Sequence, residues 1–144
     1  MLLTGLLIQI IVIPTFLFIS VFFPQTQAIF IPLWIACLLL DLSSTHKFYL
    51  ENPTKFQTNE RNKLFGYLTA KVGFKKAAFI FPLAIEIPLL LFFALLPLQI
   101  LHIYLFPNTP NNFIACLTTS FGIAATGHLH AAVKNNYINK QSRV

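Results

Sequence analysis

The stretch AAFIFPLAIEIPLLLFFALLPLQIL, residues 77–101, decides how the rest of the chain is read, because Glu86 is its only charged side chain. About 20 predominantly apolar residues cross about 30 Å of hydrocarbon as a helix, and this segment is long enough to do so. Working outward from it, three more apolar runs of similar length appear at 2–22, 28–47 and 113–133. The chain of 144 residues is 56% hydrophobic and only 10% charged, with 16 phenylalanines and a mean hydropathy of +0.72. A water-soluble core of this size cannot enclose that much apolar surface. The predicted fold is all-α: an integral membrane four-helix bundle, a single transmembrane domain over 1–144, with a short amphipathic interfacial helix between spans two and three.

Charge sets the orientation. The connectors at 24–27 and 102–112 hold no Lys, Arg, Asp or Glu, whereas 47–76 carries Lys47, Lys55, Arg61, Lys63, Lys71, Lys75 and Lys76, and the tail carries Lys134, Lys140 and Arg143. The positive-inside rule then places the 48–76 loop and both termini in the cytoplasm, with the protein integral to an inner or plasma membrane. The net charge of +6 is therefore a topology signal, and a nucleic-acid partner is not expected. Membrane lipids are the first implied partner, anionic ones gaining about 1 kcal/mol per basic residue near the headgroups. Cys37 and Cys116 both fall inside spans, where thiols behave as small apolar groups and imply no disulfide framework. A cleaved signal peptide is the main rival reading of the first span, since Thr26-Gln27-Ala28 resembles a cleavage site; the long apolar stretch with no preceding Lys or Arg argues against it.

Within the polar loop, Asn52-Pro53 should end the second helix, because proline disfavours helical geometry in the residue before it. Asn59 is the predicted N-cap of the next helix, with Glu60 in its first turn and Leu64, Phe65, Leu68 and Val72 on its apolar side. Gly66 and Gly73 leave a partly helical solvated loop as the alternative. Pro14, Pro82, Pro88 and Pro97 lie inside spans and should free the carbonyls of Ile10, Ala78, Ala84 and Phe93, so the third span is expected to kink and to pack against protein.

Ionisable residues inside a membrane cost on the order of 3 kcal/mol at a helix centre, which makes Asp41, Glu86 and His128 the functional candidates. Asp41 and His128 fall near the cytoplasmic ends of their spans and Glu86 lies deeper. Helical spacing puts Asp41 on one face with Trp34, Cys37, Ser44, Thr45 and Phe48. It serves either as an interfacial or helix-joining acid, or as a metal-binding or catalytic one. Glu86, two positions before Pro88, either donates to a carbonyl released by proline, or carries protons in transport, or binds a polar ligand. Ser120, Ala124, Gly127, His128, Ala131 and Asn135 form a strip of mostly small residues along which another helix could approach, so self-association or a larger membrane protein is the other implied partner. His130 points nearly opposite to His128, and His46 and His102 are expected to be solvated at the interface.

A divalent metal is the one cofactor this residue set suggests, with Asp41, Glu60 and His128 as ligands and His46 as a further one; the set lacks a compact ligand spacing. No phosphate-binding glycine loop, nucleophile elbow or Cys-x-x-Cys pair is present. Through Asp41-Leu-Ser-Ser44-Thr45, Glu60-Arg-Asn62, Lys71-Val-Gly73, Gly127-His128 and Asn135, the chain resembles a family of small, functionally uncharacterised polytopic membrane proteins. Their pattern runs Asp-x-x-Ser/Thr-Thr, then Glu-x-Asn-Pro, then Asn near the end of the last span; Lys63 stands here where the family has proline. The resemblance covers spans two to four and implies that Asp41, Thr45, Glu60 and Asn62 form one polar site at the cytoplasmic mouth.

Three functional expectations follow. The leading one is a small binding or assembly component with a cytoplasm-facing polar cluster of Asp41, Ser44, Thr45, Glu60, Asn62, Glu86, His128 and Asn135. The second is a metal-dependent, membrane-embedded hydrolase or transferase on a lipid-like substrate, with Glu60 as ligand or general base. The third is a proton-linked small-molecule transporter with Glu86 as the exchanging carboxyl. The catalytic candidates are thus Glu60 and Glu86.

Overall fold

The computed structural model describes residues 2–51, 53, 56, 60, 62–110 and 112–141, with side chains between Ile10 and Tyr137. Among these there is no strand. Helix α1 (Leu2–Phe22) and α2 (Gln27–Glu51) are joined by a single 3-10 turn, Pro24–Thr26. Helices α3 (Lys63–Val72) and α4 (Phe74–Phe81) follow, then a π-helical turn at Pro82–Glu86, α5 (Ile87–Leu95), α6 (Pro97–Leu105) and α7 (Phe113–Gln141). Two helical runs, Pro24–Glu51 and Phe74–Leu105, are long and apolar enough to cross a membrane by length and composition.

The third apolar segment is not one regular helix. Five residues take i to i+5 hydrogen bonding behind Pro82, which has no amide to donate, and the amide of Ile87 donates to the Pro82 carbonyl. Leu96 then leaves helical geometry at φ −124°, ψ −71°, and Pro97 opens α6. Pro97 was expected as an interior proline; it instead occupies the first turn, where its missing amide costs least. Pro14 does lie within α1, and so does Pro32 within α2, a position the sequence reading passed over. Helices α2 and α7 also run beyond the expected spans, because Lys, Leu, Gln and Glu sustain helical bonding where hydropathy has already fallen.

The chain divides into two compact units, Met1–Ala36 with Leu89–Gly127, and Cys37–Pro88 with His128–Val144. The first contains no Lys, Arg, Asp or Glu. Its core is Leu17, Ala94, Leu98 and Cys116, small and branched side chains that let helices approach closely. Gly122 is required there, since a Cβ would lie 2.7 Å from Phe16 Cδ2 and 3.0 Å from Phe30 Cδ1. The buried hydroxyls are satisfied inside the unit: Thr119 donates to Ser20 Oγ at 3.1 Å, Thr118 to the Ile114 carbonyl at 2.9 Å, and Ser120 to that of Leu117 at 2.7 Å. His102, expected to be solvated, is fully buried. The chain turns at Phe106 and brings Thr109 Oγ1 to 3.4 Å from its Nε2.

The second unit is built on aromatic packing. Phe56, Phe65, Phe74 and Ala77 form its core, with Phe65 edge-on to both Phe74 and Phe81 at 5.6 Å. Helix α3 begins three residues later than Glu60, because Asn62 caps it by accepting from the Phe65 amide at 3.1 Å. Asn59, the expected cap, lies outside the described residues. Phe65 and Thr69 face inward, whereas Leu64, expected on the apolar side, is exposed. Gly73 separates α3 from α4 at φ +83°, ψ 157°, a conformation open essentially to glycine alone. His46 is half-buried and stacks on Phe74 at 4.7 Å.

Candidate functional site

The second unit brings an imidazole between two carboxylates. Helix α2 supplies Asp41, the π turn supplies Glu86 as its last residue, and α7 supplies His128. His128 Nδ1 lies 2.9 Å from Asp41 Oδ2 and His128 Nε2 lies 2.7 Å from Glu86 Oε1. The three side chains keep only 13% to 19% of their accessible surface, so water replaces few of these contacts. Donation to a proline-freed carbonyl was one of the expected roles of Glu86. Its Oε1 instead engages the imidazole, because the wider π turn resets the direction of the residue that ends it.

With a proton in each of the two short contacts, the triad carries a net charge of −1 whether the imidazole holds both or a carboxyl holds one. Neither ring nitrogen retains a free lone pair in this arrangement. A metal at His128 would have to displace a carboxylate from it, and among the described residues no group of three or more His, Cys, Asp or Glu is placed to hold a metal ion.

A second layer fixes Asp41. Asn135 donates from Nδ2 to Thr45 Oγ1 at 2.9 Å, with longer contacts to Ser44 Oγ at 3.3 Å and Asp41 Oδ1 at 3.4 Å. Thr45 in turn donates to Asp41 Oδ1 at 3.4 Å, and Ser44 donates to the Asp41 carbonyl at 2.8 Å. Positions 41, 44, 45 on α2 and 128, 135 on α7 meet because each set occupies one stripe of its helix.

This network forms one wall of a cavity of about 540 Å³, within the range that encloses drug-sized molecules. Asp41, Thr45, Glu60, Asn62, His128 and Asn135 line it. Leu38, Leu42, Phe48, Phe65 and Phe81 supply its apolar surface. Glu60 Oε1 accepts from the Asn62 amide at 2.8 Å, so Glu60 faces the same space as the triad without joining it. Ser44 and Glu86 are tied to the wall through Asn135 and His128. His130 and Lys134 also line the cavity, and the sequence reading did not place them there. Their i, i+4 spacing on α7 was the available signal.

Gly127, singled out as part of a helix-approach strip, is exposed, and a Cβ there would meet nothing within 4 Å. Within the first unit, the close approach is at Gly122. Both cysteines are buried free thiols, consistent with their apolar surroundings.

Comparison with known proteins finds no matching protein family, no matching curated protein and no matching solved structure.

Proposed function

We propose that this is a four-span integral membrane protein that binds a small amphiphilic molecule in the cavity bordered by Asp41, His128 and Asn135, with both termini and the 48–76 connector in the cytoplasm. The observation that carries the binding reading is a fully networked polar wall facing apolar and aromatic side chains across an open volume. A polar cluster serving only to join helices would gain most by leaving no such space. Support for the membrane reading comes from the two long apolar helical runs, the many large apolar side chains on the surface, and the restriction of every Lys, Arg, Asp and Glu to the second unit.

Native mass spectrometry of the protein released from lipid nanodiscs tests the binding reading. Wild type is expected to carry adducts of drug-like mass that Ala131→Trp, which fills the cavity, loses. Identical adduct profiles from two folded proteins would refute it.

Proton-linked transport is the second reading, favoured by one feature: hydrogen bonds run without interruption from Glu86 through His128 to Asp41. A chain of this kind can pass a proton by exchanging which atom holds it. Glu86→Gln in reconstituted vesicles is then expected to abolish ligand-dependent proton movement while leaving insertion intact.

A further inference from the structure

We infer that the first unit binds a buried water molecule between Gln99 and His102 of α6, and that this water and Thr109 together hold the imidazole in one tautomer. The inference concerns the unit without Lys, Arg, Asp or Glu and stands apart from the cavity reading above.

Two buried atoms carry the first argument. Gln99 Oε1 and His102 Nδ1 meet no hydrogen-bond partner among the described residues. His102 is 0% exposed, and the Phe106 ring stands edge-on to it at 5.9 Å. Buried polar groups are paired almost without exception, with protein or with ordered water, because an unpaired one has lost its bulk hydration for nothing.

The direction of the bonds is the second argument. The Thr109 hydroxyl donates to the Phe106 carbonyl at 2.8 Å, so toward His102 Nε2, 3.4 Å away, its oxygen can only accept. Nε2 therefore carries the ring proton and Nδ1 presents a lone pair. A second proton on Nδ1 would place a positive charge in a unit with no carboxylate to balance it. Both unpaired atoms are thus acceptors, and the molecule that joins them must donate twice.

Spacing and charge select water. Gln99 and His102 lie three positions apart in α6, so they share a face with Cβ atoms about 5–6 Å apart. A water donating two bonds of about 2.8 Å spans acceptors about 4.5 Å apart, within reach of side chains on that face. A cation would also suit two acceptors, but its charge would be unbalanced in this unit. A larger neutral donor cannot reach a ring with no exposed surface. Water meets the minimum of two polar partners, and it accounts for a glutamine and a histidine on one face of an otherwise apolar helix.

Magic-angle-spinning NMR of the full-length protein in lipid bilayers, with isotope-labelled histidine rings, tests the inference. His102–Ile103 is the one His-Ile pair in the sequence, so labelling its carbonyl and amide assigns the ring without a variant. The proton is expected on Nε2, and Nδ1 is expected to receive magnetisation from water. Gln99→Leu should lose that transfer while the proton stays on Nε2, where Thr109 still accepts it. A proton on Nδ1, or an Nδ1 signal that water protons never reach in wild type, overturns the inference. Transfer that persists unchanged in folded Gln99→Leu overturns it as well. The two wild-type readouts decide the matter if Gln99→Leu does not fold, and neither bears on ligand binding in the second unit.

Discussion

At the scale of single residues, His128 has the largest predicted effect. Removing one member of a desolvated charged set leaves its partners uncompensated, so His128→Leu is expected to destabilise the protein by about 3 kcal/mol. Chemical unfolding in detergent measures this. Adding Asp41→Asn and Glu86→Gln to the same variant should recover most of the loss, because neutral amides no longer face one another as buried acids. Two glycines of α7 should respond in opposite directions. Gly122→Ala forces a methyl into the Phe16 ring at 2.7 Å and is expected to cost about 1–3 kcal/mol by overpacking. Gly127→Ala meets open space and should gain about 0.5–1 kcal/mol from reduced backbone freedom. Helical spacing in the sequence singled out Gly127 and passed over Gly122, whose close contacts appear only once Phe16 and Phe30 are placed.

At the scale of elements, the connector between α2 and α4 shows where sequence reading succeeds and where it slips. The presence of a short amphipathic helix was legible from the recurrence of Leu64, Phe65, Leu68 and Val72, although Leu64 proves exposed. Its start was not, since 59–62 offers two asparagines and both are competent caps. Asn62 takes the role because its Oδ1 reaches the Phe65 amide, and Asn62→Ala is expected to cost about 1 kcal/mol. Gly73→Ala has no clash to relieve, yet its φ of +83° should make it cost about 1–3 kcal/mol. Thermal unfolding of these two variants checks both values. The π turn is the other case. Proline at 82 signalled a disturbance, but a kink and a π turn are alternative answers to the same missing amide. The structure takes the second, with Glu86 ending the turn and bonded to His128.

At the scale of the whole molecule, the prediction concerns sidedness. In a background lacking Cys37 and Cys116, a cysteine introduced at Tyr67 should react with a membrane-impermeant maleimide only after permeabilisation. One introduced at Asn108 should react in intact cells. Both positions are exposed, so accessibility to water is not what separates them. Equal labelling of Tyr67→Cys in intact and permeabilised cells would reverse the proposed orientation.

The amino-acid sequence by itself determined the helical class, the confinement of Lys, Arg, Asp and Glu to two stretches of the chain, and which polar residues share a stripe on each helix. These are properties of single residues and of local periodicity, and they need no partner to be defined. Tertiary structure alone decided that His128 meets Asp41, 87 positions away, and Glu86, 42 positions away. It also decided that His102 is buried and that Gly122 is the close contact. Each of these depends on how one helix is rotated against another, and that rotation is fixed by the packing of the whole set of side chains between them.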